Sequence, residues 1–201
     1  GHWDEELHAL DYLVYAYLQK RDNALAKKQW DYLKTINHVE PVNFKVAYAF
    51  AAIPSRYLLE NRLWEEAASL QAHDANISWK EYPWQNAIIH FTRLLGSVHT
   101  GKPDAAKAEY KILNELHDEL SDQKDVYKAL QVEIQLKTGE AWILFKEGKN
   151  EEALKQMYAA ADMEDKTEKH PVTPGQIIPT RELLGDMLLA MNRRDEALIA
   201  Y

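Results

Sequence analysis

The chain has 201 residues, 46% hydrophobic and 28% charged, a balance ordinary for a globular protein and long enough to bury a sizeable core. Its 32 acidic and 24 basic residues leave a formal charge of −8, and the basic residues are dispersed, so a phosphate backbone would be repelled and nucleic acid is excluded as a partner. The absence of cysteine excludes disulfides, thiolate catalysis and Cys-ligated zinc, and no stretch approaches the ~20 apolar residues of a membrane-spanning helix.

With only 7 Gly and 7 Pro, the sequence favours long uninterrupted elements, and apolar residues recur at helical spacing almost throughout. Periodicity predicts helices at 4–20, 22–37, 43–61, 63–73, 82–100, 103–121, 123–147, 150–165, 177–191 and from 193 onward. In the first, Leu7, Leu10, Val14, Tyr17 and Leu18 form one stripe, widened by Leu13 and Tyr15. Pro54 lies inside the third pattern and is expected to kink or divide it, because proline removes a hydrogen bond and crowds the preceding turn. Trp79 and Trp84, in "ISWKEYPWQN", fall on a loop and a helix start. They read either as an exposed aromatic contact surface or as packing between the second and third hairpins.

Further along, Gly101 ends one helix and Pro103 enters the first turn of the next, where its missing N–H costs least. Gly148 repeats the stop. Asn150 then reads as an N-cap before Glu151 and Glu152, whose charges suit the helix dipole.

The elements repeat. An alanine one turn into each second helix, Ala26, Ala67, Ala106, Ala153 and Ala197, recurs at separations of 41, 39, 47 and 44 residues. Five positions before it stand Arg21, Arg62, Gly101, Gly148 and Asn192; twelve before it stand Val14, Ser55, Leu94, Ala141 and Gly185. Four after it stand Trp30, Gln71, Tyr110, Met157 and Tyr201, mostly large. The units fall at approximately 4–37, 43–73, 82–121, 123–165 and 177–201, one helical repeat domain whose fifth unit reads as truncated within its second helix.

"ELLGDMLLAMNRRDEALIAY" and "GEAWILFKEGKNEEALKQMYAAADMED" resemble the tetratricopeptide repeat (TPR) family in its bacterial multi-repeat form: a small residue on the first helix, a turn Gly or Asn, Glu-Ala-Leu opening the second, then a large residue. The likeness covers nearly the whole chain by spacing and is strongest over about the last 60 residues. The units exceed the ~34 residues typical of that repeat. The resemblance implies an all-α fold of about ten helices, stacked as antiparallel hairpins into a TPR-like α-solenoid with a right-handed superhelix. It also implies a concave face built from first helices. Carrying the family's groove-facing spacing onto this chain selects His8, Asp11, Tyr12, Tyr15, Arg56, Phe91, Thr92, His99, Trp142, Glu182 and Asp186.

No constellation specifies a reaction. His90 and His99 lie nine residues apart, about 180° around a helix, and neither they nor "ELHDEL" make a metal motif. Paired carboxylates sit in first helical turns, where the dipole favours them, and there is no nucleophile elbow or glycine-rich phosphate loop. The sequence therefore points to a non-catalytic scaffold, without cofactor or metal, that binds a protein or peptide in the concave groove. A second reading makes the segment a structural spacer or self-association module acting through an open C-terminal end. A third is a helical enzyme or small-molecule pocket around Trp79, Trp84, His90 and Trp142.

Overall fold

The computed structural model describes residues 2–73 and 76–201. Ten α-helices carry them: α1 (Asp4–Gln19), α2 (Asn23–Leu33), α3 (Phe44–Glu60), α4 (Trp64–Ala68), α5 (Pro83–His99), α6 (Pro103–Asp122), α7 (Val126–Lys146), α8 (Asn150–Asp165), α9 (Thr180–Ala190) and α10 (Arg194–Ala200). A 3₁₀ turn at Trp79–Glu81 precedes α5. Among the described residues the extended backbone makes only an isolated bridge between His2 and Val39. No described helix is long and apolar enough to cross a membrane.

One backbone device closes the hairpins. Arg21, Arg62, Gly101, Gly148 and Asn192, the recurring turn residues of the sequence, all adopt positive φ, between 53° and 79°. Each N–H bonds the carbonyl three residues back, and the next N–H reaches the carbonyl five back, as in Arg21→Leu18 (2.9 Å) and Asp22→Tyr17 (2.9 Å). This left-handed cap satisfies carbonyls that the helix end leaves free. Lys124 (φ 59°) makes the same turn between α6 and α7, so that junction is as tight as a hairpin although it lies between predicted units.

The five recurring alanines are each fully buried, because at this level the second helix lies closest to its neighbours and a larger side chain would hold them apart. The pairs α1–α2, α3–α4, α5–α6, α7–α8 and α9–α10 pack within hairpins. Each second helix also packs on the following first helix, and α1, α3, α5 and α7 lie side by side in order. Gly96 permits the tightest of these approaches: a Cβ there would lie 2.2 Å from the Ala68 nitrogen of α4. Two apolar cores result, one from α1 to α3 and one from α3 to α10, with Trp30, Tyr57 and Trp79 packed against both.

Several elements differ from expectation: α2 stops at Leu33 rather than 37, α7 starts at Val126 rather than 123, and α9 starts at Thr180 rather than 177, leaving Ile177 and Ile178 outside it. Helix α4 stops at Ala68 rather than 73, because Ser69 Oγ takes the Glu65 carbonyl (3.0 Å) and Arg93 Nε takes that of Leu70 (2.5 Å). Helix α3 runs unbroken through Pro54, which is buried between α2 and α4 residues along with the rest of that turn. Asn150 begins α8 without capping it; Lys149 occupies the cap and offers no side-chain acceptor.

Candidate functional site

The layer formed by α1, α3, α5 and α7 presents a face that is occupied. Residues 166–179, the connector between α8 and α9, cross it as a strap of turns and bends. At one end Tyr127 Oη donates to the Glu168 carbonyl (3.1 Å). His170 then enters an aromatic enclosure, stacked on Phe44 at 4.9 Å between ring centroids, with Trp84 at 5.5 Å and Tyr127 at 5.6 Å. Burial and the nearby Lys128 ammonium push this imidazole below its ordinary value.

Arg56 holds the middle of the strap. Its guanidinium donates from Nη2 to the Gly175 carbonyl (2.9 Å) and from Nε to that of Gln176 (3.4 Å), and it pairs with Asp11 through Nη1. Both partners are buried, Arg56 to 1% exposure and Asp11 to 2%. A buried guanidinium is tolerable only when its donors are met, and here the carboxylate and two strap carbonyls meet them. Burial pushes the Asp11 carboxyl up against the opposing pull of Arg56. Tyr48 Oη accepts from Arg56 Nη2 (3.4 Å), and burial drives the phenol to about 12. The strap's last residues, Ile177 and Ile178, are buried in the larger core with Trp84 and Phe91. Glu164 ties down the exit, accepting from Thr180 N (2.7 Å) and Oγ1 (3.0 Å).

The residues selected by groove-facing spacing therefore divide. Asp11 and Arg56 form the buried pair beneath the strap, and Tyr15 lies under it, its ring 5.6 Å from the guanidinium and in contact with the Gly175 position. Phe91 and Thr92 are core residues; the Thr92 hydroxyl is spent on its own helix at Ile88 O (2.9 Å). His8 and Tyr12 sit on the outer part of α1, ring to ring at 5.1 Å, with Tyr12 39% exposed.

His99 and Trp142 form a separate cluster with Trp64. The imidazole stacks on Trp64 at 4.0 Å and leans on Trp142 at 4.5 Å, and burial holds it down at about 4. Glu182 and Asp186 belong to a third place, where Asp186 accepts from Arg62 Nη2 (2.7 Å) and Tyr201 Oη (2.5 Å). Burial and Asp186 raise the Glu182 carboxyl.

Trp79 and Trp84 do not form an exposed aromatic patch. Trp84 is 4% exposed, wedged among Phe44, Tyr48, Tyr127 and His170, and Trp79 is half-buried with Nε1 directed at the His73 carbonyl (3.4 Å). The residues of the pocket reading are likewise dispersed: Trp84 lies under the strap, Trp142 at His99, and His90 bonds Glu109 (2.6 Å).

Two spaces flank the strap. A polar cavity of about 40 Å³ lies beneath it, lined by Gln131, Gln135, Thr138 and Thr173. A cleft of about 700 Å³ opens beside it between Tyr15, Gln19, Glu60, Gln176, Glu182 and Tyr201. Glu60 is raised by burial and by the neighbouring Glu182 charge.

Sequence reasoning missed the strap and with it the part played by His170. The signal was an Ile-Ile pair between Pro174 and Pro179, apolar residues in a segment whose prolines and glycine preclude a helix. Comparison with known protein-family models, curated proteins and solved structures finds no match.

Proposed function

We propose that this chain is a non-catalytic structural and self-association module, a tetratricopeptide-like solenoid of helical hairpins whose concave face is its own core. The observation that carries this reading is the strap: residues 166–179 take up the surface that a peptide-binding scaffold would leave to its partner. For a ligand to use that groove, Ile177 and Ile178 would have to leave the core and Arg56 would lose two acceptors. The solenoid reading draws its support from the five matching hairpin turns and the buried alanine five residues beyond each. The non-catalytic reading is supported by the carboxylates bound at the strap, Asp11 being tied to Arg56 and Glu164 fastening Thr180, while Glu60 and Glu182 line the open cleft.

The test is a double substitution, Tyr15→Ala with Trp142→Ala. In an open groove both changes would spare stability and abolish capture of a partner. In the structural reading Trp142, 2% exposed, is core, and its truncation is expected to lower the unfolding free energy by about 3–5 kcal/mol. Urea unfolding measures the difference, and a variant as stable as the parent overturns the reading.

A further inference from the structure

Apolar exposure among the described residues is concentrated on the first and last hairpins. Tyr12 and Leu13 of α1 are 39% and 38% exposed, and Leu198 and Ile199 of α10 are 78% and 84% exposed. The repeat register explains what each face would otherwise meet. Ala9, Tyr12, Leu13 and Ala16 form an i, i+3, i+4, i+7 stripe, and the corresponding positions of α3, 41 residues on, are Phe50, Ile53, Pro54 and Tyr57. In α3 that stripe is covered by the preceding second helix, α2, with the Trp30 ring 5.3 Å from Tyr57. In α1 the same stripe is bare.

The last hairpin presents the complementary half. Leu154 of α8 lies 44 residues before Leu198, and with α9 packed on that helix it is 4% exposed. Eight residues before the recurring alanines, Leu18, Leu59 and Val98 are buried and Phe145 is half-buried, whereas Leu189 is 46% exposed. The α9–α10 face is therefore one that a following first helix covers elsewhere in the chain, and the α1 stripe is one that a preceding second helix covers.

We infer that copies of this chain associate head to tail, the α1 stripe of one copy seating on the α9–α10 face of the next and continuing the packing already made by α2 on α3, α4 on α5, α6 on α7 and α8 on α9. The inference rests on the structural reading above. It makes the interface heterologous, with two different surfaces meeting, and so open-ended rather than limited to a dimer.

Light scattering during size-exclusion chromatography of the 201-residue chain tests it, over a concentration series. The mean mass is expected to rise with concentration beyond that of a dimer. Leu13→Glu removes the head and Leu198→Glu the tail, both at exposed positions, and circular dichroism melting checks that each variant keeps its fold. Each variant alone is expected to stay monomeric, because every copy lacks the same half of the contact. Mixed, they are expected to form a one-to-one heterodimer and stop, since one supplies a tail and the other a head. A parent chain monomeric throughout overturns the inference, as does an assembly broken by Leu198→Glu but unaffected by Leu13→Glu, which would mean tail-to-tail pairing. A mixture that remains monomeric overturns it too. None of these outcomes touches the face beneath the strap, so a failure here removes the self-association and leaves the structural reading of that face to the stability of the Tyr15 and Trp142 variant and to the docking of His170.

Discussion

Arg56 is the residue on which the seat of the strap most depends, since one guanidinium joins α3 to α1 and to the strap. Arg56→Ala is expected to cost about 3–5 kcal/mol in urea unfolding, because it strands a buried Asp11 carboxylate. Asp11→Leu with Arg56→Met should recover part of that loss but not all, because the Gly175 and Gln176 carbonyls still lose their donor. His99 governs a separate pH response. Burial among the Trp64 and Trp142 rings, with Lys146 and Arg62 adding to it, lowers the imidazole from 6.5 to about 4. Between those values the unfolded chain takes up a proton that the folded chain refuses. The stabilisation is therefore complete above pH 6.5 and is lost as pH falls toward 4. It amounts to about 3 kcal/mol. His99→Phe keeps the stack and should flatten the stability profile between pH 7 and 4.5, measured by denaturant unfolding; a profile as steep as the parent's would assign the response to other groups.

At the scale of elements, the left-handed caps are the repeating constraint, and they are filled by chemically different residues. Gly148 (φ 79°) suits its cap at no steric cost, whereas Lys124 (φ 59°) bears the strain of a Cβ in that region. Gly148→Ala should lower stability by about 1 kcal/mol and Lys124→Gly should raise it by about 0.5–1 kcal/mol, read from thermal unfolding. Equal responses at the two sites would contradict the shared geometry. These turns were largely legible in the sequence, because the repeat register marks them even where the residue is Arg or Asn. Helix ends were less legible where a side chain from elsewhere decides them. Arg93 comes 23 residues after the carbonyl it takes at Leu70, and nothing local to α4 announces it.

For the molecule as a whole, hairpin order and the buried alanines could be read from spacing, but the occupant of the face formed by α1, α3, α5 and α7 could not. Groove-facing spacing selected the right neighbourhood in Asp11, Tyr15 and Arg56. It gave no sign that a connector more than 100 residues later would cover them. Periodicity finds elements that bury one face; a strap that packs by single residues, such as His170 and the Ile177–Ile178 pair, has no period to detect. Its seat is what separates a structural core from a ligand groove. Proton NMR of the isolated chain tests this most directly through His170. The docked strap is expected to give imidazole cross-peaks to the Phe44, Trp84 and Tyr127 rings and a titration midpoint below 6.5. Imidazole signals without those cross-peaks, titrating at the ordinary histidine value, would contradict it and leave that face open.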